Sequence, residues 1–454
     1  MNTYDVTNLS IRAYSEHPEV YQFAEWLVDD YMSTKTRVKD RQEYILTARK
    51  LIASLWIRDG DLFRFTTKAK YFSGEGKKQV WMTRKTLTLF KHLKSIEPKL
   101  INTVVKGVPP EVSKSGRGLN TVYCRTFEFT KRLESLTFED ILPNPELEVM
   151  ELNSEDEKNL PISEKEREQE WFKHSERVLN SHFNFLKSAR LNSPNGERVA
   201  PIEYFYQRKF KNDFVSGGRW YSDFTRWSKQ NRLSILFDKE RAFSIDISQL
   251  HPTLIMRLYH HKDVEPIGML RGDLRDAYDM PKYNHFPRIV HKKLVNTLFN
   301  SESEDAALRS IMTAHLDKDE NGEYVCRTYK GKQKRKGEKL FKDNKKGAKE
   351  YLEYFKWMHP YYAEAICSGL GIKLQKMDSH LVTNVVDVAT SIGLAVLPVH
   401  DEFVFPESRL EDMQKILTEV FKITFKEIGR LGSLSCKVTS PDGNEKEIIL
   451  GLED

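Results

Sequence analysis

Two apolar runs that end in carboxylates constrain this sequence more than any other feature. RAFSIDISQL (241–250) is typical of a strand that ends at Asp246 and leads into a helix. LAVLPVHDEFVF (394–405) places Asp401 and Glu402 between two apolar runs, which predicts a hairpin with acids at its tip. Each motif alone is weak, because an aspartate before a turn commonly caps a helix. Together, two strands that each deliver an aspartate could hold a divalent metal ion, and oxygen ligands suit Mg²⁺.

The composition indicates a folded protein and argues against several classes. The 454 residues are 39% hydrophobic and 11% aromatic, which is enough to bury substantial cores in about two to four domains. No apolar run approaches the ~18 residues of a membrane-spanning helix, and no basic-then-apolar secretory signal is visible. The four cysteines lack metal-site spacing. We therefore expect a cytoplasmic protein with no disulfide framework, no zinc site and no membrane partner.

Charge is unevenly distributed along the chain. The formal net charge of +6 is only a weak hint of an anionic partner. Residues 134–170 carry thirteen acids against three bases, whereas residues 327–349 carry eleven bases against two acids. The basic run, which includes Lys334 and Arg335, is either a solvated loop or a loop that contacts nucleic-acid phosphates, since such contacts need clustered cations without fixed geometry.

The N-terminal third resembles a winged helix-turn-helix. Residues 17–57 have the periodicity of two amphipathic helices, and Thr83 is a candidate N-cap for a third, whose outer face carries Arg84 and Lys85. Two β-rich runs follow, joined by a Pro-, Gly- and Lys-containing loop with Arg117 near its tip. Such a unit would place one helix in the major groove and a wing on the DNA backbone. The alternative is a small α+β packing module without a ligand.

These patterns predict four segments. Residues 1–136 form the helical, winged-helix-like nucleic-acid-binding domain, and 137–165, rich in acids, form an exposed linker. Residues 166–240 form a helical, thumb-like connecting region, and 241–454 form the catalytic domain.

Three further motifs accompany the two aspartate runs in a fixed order. SGGRWY (216–221) precedes DISQ (246–249), RIVHKK (288–293) and LQKMDSH (374–380) follow it, and VHDE (399–402) comes last. In this order the set resembles the family A nucleic-acid polymerases, the superfamily of DNA polymerase I and the single-subunit phage RNA polymerases. The resemblance covers roughly the last 250 residues. It implies an α+β fold with a right-hand palm, an antiparallel sheet with helices, and helical fingers.

The resemblance also implies a metal centre. Asp246 and Asp401 would hold two Mg²⁺ ions, which Mn²⁺ can replace, and the backbone carbonyl of Ile247 would complete the metal shell. Glu402 would be an auxiliary acid near the ions. His400 would lie beside the primer terminus, with a structural hydrogen bond as the alternative.

The other matched residues would contact nucleotide and nucleic acid. Arg288 and Lys292 lie four apart, on one helix face, and would reach the β- and γ-phosphates, unless that face is only a solvated basic surface. Gln249 would contact the nucleotide. Arg219, beside two glycines, would approach the template–primer backbone, and Gln375 would contact nucleic acid from the helix before the hairpin.

His251 bears on the choice of sugar. It stands five residues after Asp246, where DNA polymerases of this superfamily carry a bulky side chain that excludes a 2′-hydroxyl. Its bulk favours deoxynucleotides, its polarity would allow a hydrogen bond to a 2′-hydroxyl, and a purely structural role is the third reading. The sequence departs from the family where Asn296 replaces an aromatic residue and Phe299-Asn300-Ser301 replaces a Tyr-Gly ending.

Three functions remain open at this stage. The leading hypothesis is a DNA polymerase of a mobile element or phage that adds dNTPs to a primer on a DNA template by two-metal phosphoryl transfer. The second is an RNA polymerase or primase-like enzyme of the same superfamily. The third is a DNA-binding replication initiator with a degenerate palm, which the presence of all four residues Asp246, Asp401, Arg288 and Lys292 disfavours.

Overall fold

The protein is a mixed α+β structure with small antiparallel sheets. The computed structural model describes residues 7–8, 12–34, 40–57, 63–64, 83–105, 122–154, 160–194, 196–259, 276–318, 322, 324–328, 337–342, 345–426 and 433–452. Its contacts form two compact units, the first being Met1–Asp213 with Trp220–Arg241 and the second Phe214–Arg219 with Ala242–Asp454. Among the described residues, no helix has both the length and the apolar character needed to span a bilayer.

The first unit holds helices α1 to α7 and the shorter strands. Its helices are α1 (Pro18–Ser33), α2 (Arg41–Trp56), α3 (Arg84–Ser95), α4 (Phe127–Thr130), α5 (Glu164–Arg167), α6 (Glu170–Ser188) and α7 (Lys229–Leu233). Its strands are β1 (Thr7–Asn8), β2 (Ala13–Tyr14), β3 (Phe63–Arg64), β4 (Ile101–Val105), β5 (Val122–Arg125), β6 (Leu142–Pro143), β7 (Met150–Asn153), β8 (Leu191–Asn192), β9 (Gln207–Lys211) and β11 (Leu236–Phe237). Strands β10 (Asp213–Tyr221) and β12 (Glu240–Ile247) each have residues in both units.

The helices predicted between residues 17 and 57 are confirmed as α1 and α2, which pack on each other. Thr83 caps α3 as predicted, in a capping box with Thr86 that satisfies backbone donors of the first turn. Leu87 and Phe90 of α3 are buried. Strands β4 and β5 pair antiparallel, in a sheet of order β1-β3-β5-β4, so the predicted hairpin is also present. Its basic tip, including Arg117, lies outside the described residues.

Helix α6 occupies most of the helix predicted from residue 162 onward. Val178 and Leu186 are buried on its inner side as expected. Trp171 is only half-buried, and its indole N–H donates to the amide oxygen of Gln169 at 2.6 Å. Phe172 is fully buried instead.

The expectation of an exposed acidic linker at 137–165 is wrong for much of that segment. Leu147 and Met150 are buried, and β7 pairs in parallel with β9. The acids are neutralised by bases from elsewhere in the same unit: Lys209 Nζ lies 2.6 Å from the almost fully buried carboxylate of Glu151. The acidic composition therefore did not indicate β7, a strand whose partner β9 lies more than fifty residues further along the chain.

The second unit contains the remaining elements. They are α8 (Leu250–Tyr259), α9 (Arg288–Asn300), α10 (Glu304–Ile311), β13 (Ala314–Lys318), β14 (Tyr324–Thr328), β15 (Glu338–Lys339), α11 (Lys345–Met358), α12 (Leu370–Ser391), β16 (Leu397–Val399), β17 (Glu402–Pro406), α13 (Leu410–Lys426), β18 (Ser433–Thr439) and β19 (Glu445–Gly451).

An antiparallel sheet of order β16-β17-β12-β18-β19 organises this unit. Strand β12 lies in its centre, so its apolar residues Ala242, Ile245 and Ile247 are buried. Helix α12 packs against α8, α9 and α13. A second antiparallel sheet, of order β14-β13-β15, accompanies α9, α10 and α11.

Candidate active site

The two predicted aspartates come together at one end of the central sheet. Asp246 lies near the end of β12 and stands opposite Glu402 of β17 in the register of the two strands. One residue further along, the amide of Ile247 donates to the carbonyl oxygen of Asp401 at 3.0 Å. Because the N–H and C=O of a strand residue point to the same side, the Ile247 carbonyl also faces the Asp401 turn. The strand end and the hairpin tip are thus held together by backbone bonding.

The hairpin tip is a two-residue turn made of His400 and Asp401. Val399 and Glu402 are the last paired residues of β16 and β17 on either side. His400 has φ of +60°, in the left-handed region that non-glycine residues rarely adopt. Gln249, in the turn after Asp246, has φ of +54°. Both turns beside the aspartates therefore carry backbone strain of the kind that accumulates at functional sites.

A row of charged side chains crosses the sheet at Asp246. Asp246 stands opposite Glu402 on one side and opposite Lys437 of β18 on the other, and paired residues of adjacent strands share a sheet face. Lys437 Nζ also bonds Glu445 of β19 at 2.9 Å. The sequence alone did not identify Lys437, because nothing local specifies which strand lies beside Asp246.

The negative charges of the two aspartates contribute to the pKa of Tyr278. This buried phenol has its pKa raised to about 12, first by burial and further by the negative charges of Asp276, Asp401 and Asp246. The Arg288 guanidinium acts in the opposite direction. On the other side of Asp246, burial raises the pKa of the Cys436 thiol to about 12, with a smaller contribution from Asp246. Two buried side chains, the phenol of Tyr278 and the thiol of Cys436, thus lie within electrostatic reach of the aspartates.

Arg288 and Lys292 lie on the exposed side of α9, at its first two turns. Arg288 Nε donates to Asp276 at 2.7 Å, and its guanidinium lies 5.1 Å from the ring centre of Tyr278. Lys292 forms no ion pair within the described part of the chain. The predicted i, i+4 pair of cations is therefore present on one helix face, with Arg288 tied by way of Asp276 and Tyr278 to the aspartate site.

The side chain of Gln249 links the turn after Asp246 to the segment around Ala277. Its side-chain oxygen accepts from the amide of Ala277 at 2.7 Å, which fixes the segment that carries Asp276 and Tyr278 against the turn after Asp246. The sequence resemblance assigned Gln249 to the nucleotide. In the structure the side-chain oxygen of Gln249 already accepts a hydrogen bond from the backbone amide of Ala277.

A second cluster joins Arg219, His251 and Asp378, which lie on β10, α8 and α12. Arg219 Nε donates to Asp378 Oδ2 at 2.9 Å, and His251 Nε2 lies 2.7 Å from the same oxygen. The Asp378 side chain is 1% exposed, whereas those of Arg219 and His251 are 20% and 15% exposed. Asp378 was not predicted. Its signal is an aspartate at a position of α12 where the helical pattern of Leu374, Leu381 and Val385 requires an apolar residue.

The glycines before Arg219 let the chain pass close to α12. Gly217 and Gly218 have φ of +82° and +83°, which L-residues rarely adopt. Ser379 Oγ donates to the carbonyl oxygen of Gly218. Gln375, half-buried, lies one helical turn before Asp378 and Ser379 on the same side of α12.

The other predicted nucleic-acid contacts lie apart from this site. Arg84 and Lys85 belong to the first unit; Arg84 is exposed, whereas Lys85 pairs with Glu43 and lies over the ring of Tyr44. Arg117, Lys334 and Arg335 lie outside the described residues.

The oxygen atoms around Asp246 and Asp401 suit Mg²⁺ better than a metal ion that needs four protein ligands. Across the described ranges, no group of three or more His, Cys, Asp or Glu side chains is arranged to hold a metal ion. Asp246, Asp401 and the Ile247 carbonyl are instead an all-oxygen set with two carboxylates. Mg²⁺ is typically bound by one or two carboxylates and completes its sphere with water and substrate phosphates.

No protein-family model matches the chain, and no curated protein matches its sequence.

Proposed function

We propose that this protein is a template-directed nucleotidyltransferase of the family A polymerase type, with a palm at the central sheet and fingers at α9, and that it acts as a DNA polymerase. The observation that carries the proposal is the pair Asp246 and Asp401, delivered by adjacent antiparallel strands and joined through the Ile247–Asp401 hydrogen bond of 3.0 Å. The ordered motifs of the sequence agree with this placement.

The chain's own residues supply the other requirements of phosphoryl transfer. Asp246, Asp401 and the Ile247 carbonyl would hold Mg²⁺, which when bound activates the primer 3′-hydroxyl and neutralises developing negative charge. Arg288 and Lys292 bind the β- and γ-phosphates, where charge accumulates as pyrophosphate leaves. For this, Arg288 exchanges its bond with Asp276 for a triphosphate oxygen. Glu402 would be an auxiliary acid near the ions, and His400 would lie beside the primer terminus.

Each unit, taken by itself, offers basic or amide groups that would contact template or primer. In the second unit, Arg219 and Gln375 are the candidates for contact with the duplex near the primer end. In the first unit, Arg84, Lys91 and Lys94 of α3 are exposed and form a basic surface suited to DNA phosphates. This surface supports a winged-helix-like DNA-binding module, and its contacts would position the template without specifying sequence.

Primer extension tests the proposal directly. The full-length protein is incubated with a labelled primer–template and either dNTPs or NTPs, with Mg²⁺ and then with EDTA. We expect extension with dNTPs that EDTA abolishes and that the isosteric variants Asp246→Asn and Asp401→Asn lose. Asp305→Asn, an exposed aspartate of α10, is the matched control and should extend like wild type.

Two outcomes would replace the proposal by its alternatives. Extension with NTPs alone, or without a primer, would make the protein an RNA polymerase or primase-like enzyme. If no nucleotide is incorporated with or without Mg²⁺, and the protein binds DNA sequence-specifically, it would be an initiator with a degenerate palm.

A further inference from the structure

Three bonds converge on one oxygen of Asp378. Arg219 donates to Oδ2 through Nε at 2.9 Å and through an η-nitrogen at 2.5 Å, and His251 Nε2 lies 2.7 Å from it. A carboxylate oxygen is acceptor-only, so a nitrogen at 2.7 Å must carry a proton. The neighbouring η-nitrogen of Arg219, 3.1 Å from His251 Nε2, therefore cannot be donating to that nitrogen. The hydrogen-bond pattern thus assigns the proton of a neutral His251 ring to Nε2.

This assignment restricts what His251 can offer a ligand. Its Nε2–H is used by Asp378, and within the described residues Nδ1 has no hydrogen-bond partner. A neutral ring held in this way can present bulk and one acceptor atom, but it has no second N–H to donate. For a neutral ring, donation to a 2′-hydroxyl, which is the polar role open to this residue on sequence grounds, would require the ring to give up its bond with Asp378.

We propose that Asp378 is the positioning residue for sugar discrimination: it fixes the ring of His251 at the start of α8, so that the imidazole forms a rigid barrier to a ribose 2′-hydroxyl. This proposal rests on the proposed function. A barrier works only if it cannot rotate away, because an added hydroxyl is otherwise poorly rejected by contact alone. The anchor is suited to the task, since Asp378 is almost completely buried on α12 and Arg219 balances its charge.

The tautomer is measured without any variant. Selective ¹⁵N-histidine labelling, with the signals of His251 assigned through the variant His251→Gln, distinguishes an Nε2–H ring from an Nδ1–H ring. We expect Nε2–H in the wild-type protein and a mixture in Asp378→Ala. An Nδ1–H ring in the wild type would overturn the proposal, whether or not the protein incorporates nucleotides.

Sugar selectivity is measured as the ratio of kcat/KM for matched dNTP and NTP pairs. Asp378→Ala and His251→Ala should each lower the preference for dNTP about tenfold, which corresponds to ~1.4 kcal/mol. The double variant should lose no more than either single variant, because both remove the same barrier. Glu364→Ala, an exposed acid of the same unit, should leave the ratio unchanged.

The isosteric variant separates positioning from folding. Because Oδ2 takes all three bonds and Oδ1 takes none in the described structure, Asp378→Asn can place its amide oxygen at the Oδ2 position and keep them. It should therefore retain both the tautomer and most of the selectivity. Additive losses in the double variant, or a selective loss of NTP use, would overturn the proposal. Absence of incorporation by wild type with an Nε2–H ring would instead overturn the proposed function and leave the anchoring of His251 intact.

Discussion

The amide of Ile247 is bonded to the carbonyl oxygen of Asp401, and this single contact places two carboxylates from positions 155 residues apart in one site. Asp246 precedes Ile247, so its carboxylate leaves the central strand beside the hairpin tip that carries Asp401. Two negative charges held close together disfavour each other unless a cation is present. We expect this repulsion to lower the stability of the fold.

Removing the carboxylate of Asp401 tests whether it supports activity at the expense of stability. Asp401→Ala should reduce nucleotide incorporation by at least about a thousandfold while the thermal unfolding midpoint stays level or rises, because repulsion with Asp246 is relieved. Primer extension and thermal unfolding of the same preparation measure the two effects. Incorporation within a few-fold of wild type in a stably folded variant would contradict the metal assignment.

The cations of α9 offer an internally controlled test. Lys292→Ala should lower kcat/KM for nucleotide about a hundredfold, because a group that neutralises charge in the transition state typically contributes that much. Lys293→Ala removes an equal charge from the next, equally exposed position, which faces away from the line of Arg288 and Lys292. That variant should remain within about threefold of wild type. Equal losses in both variants would mean that α9 offers only a general basic surface.

The parts of this site that the sequence could predict are local. The strand that ends at Asp246, the hairpin with acids at its tip and the cap at Thr83 depend on residues within a few positions of each other, so periodicity and turn chemistry suffice. The place of Lys437 beside Asp246 depends instead on the pairing of β12 with β18, almost two hundred residues apart. Pairing of distant strands leaves no local trace.

The sequence predicted neither the buried position of Asp378 nor the core residues of the segment 137–165. Asp378 interrupts an apolar helix face, where a buried charge demands a partner. The acids of 137–165 were read as solvated, although their apolar neighbours Leu147 and Met150 are core residues. In both cases the position of each residue on its element, rather than the composition of its segment, decides its environment.

Acid sensitivity should arise partly from His291. This ring is buried in α9, with Nδ1 3.0 Å from the hydroxyl of Tyr351, and burial lowers its pKa below the ordinary value near 6.5. The folded state therefore binds fewer protons than the unfolded state, so the contribution of His291 is present above about pH 6.5 and is lost as pH falls through the folded-state pKa. We expect the unfolding midpoint to fall between pH 7.5 and 5.5, and to fall less in His291→Gln.

An exposed, non-titrating position of the same helix provides the control for this measurement. Ile289→Gln should keep the wild-type dependence of the unfolding midpoint on pH. A dependence on pH that is identical in wild type and His291→Gln would show that His291 makes no contribution.

The basic run between residues 327 and 349 should contribute to DNA affinity through phosphates. Most of its central cations lie outside the described residues, so the prediction rests on charge alone. Reversing Lys332, Lys334, Arg335 and Lys336 to Glu should weaken binding to duplex DNA and reduce the slope of log K against log salt by about one for each lost contact. Sequence preference should not change, because phosphate contacts position a protein without reading bases. Titration of labelled duplexes of two unrelated sequences at several salt concentrations measures both quantities, and a salt slope equal to that of wild type would make this run a solvated loop.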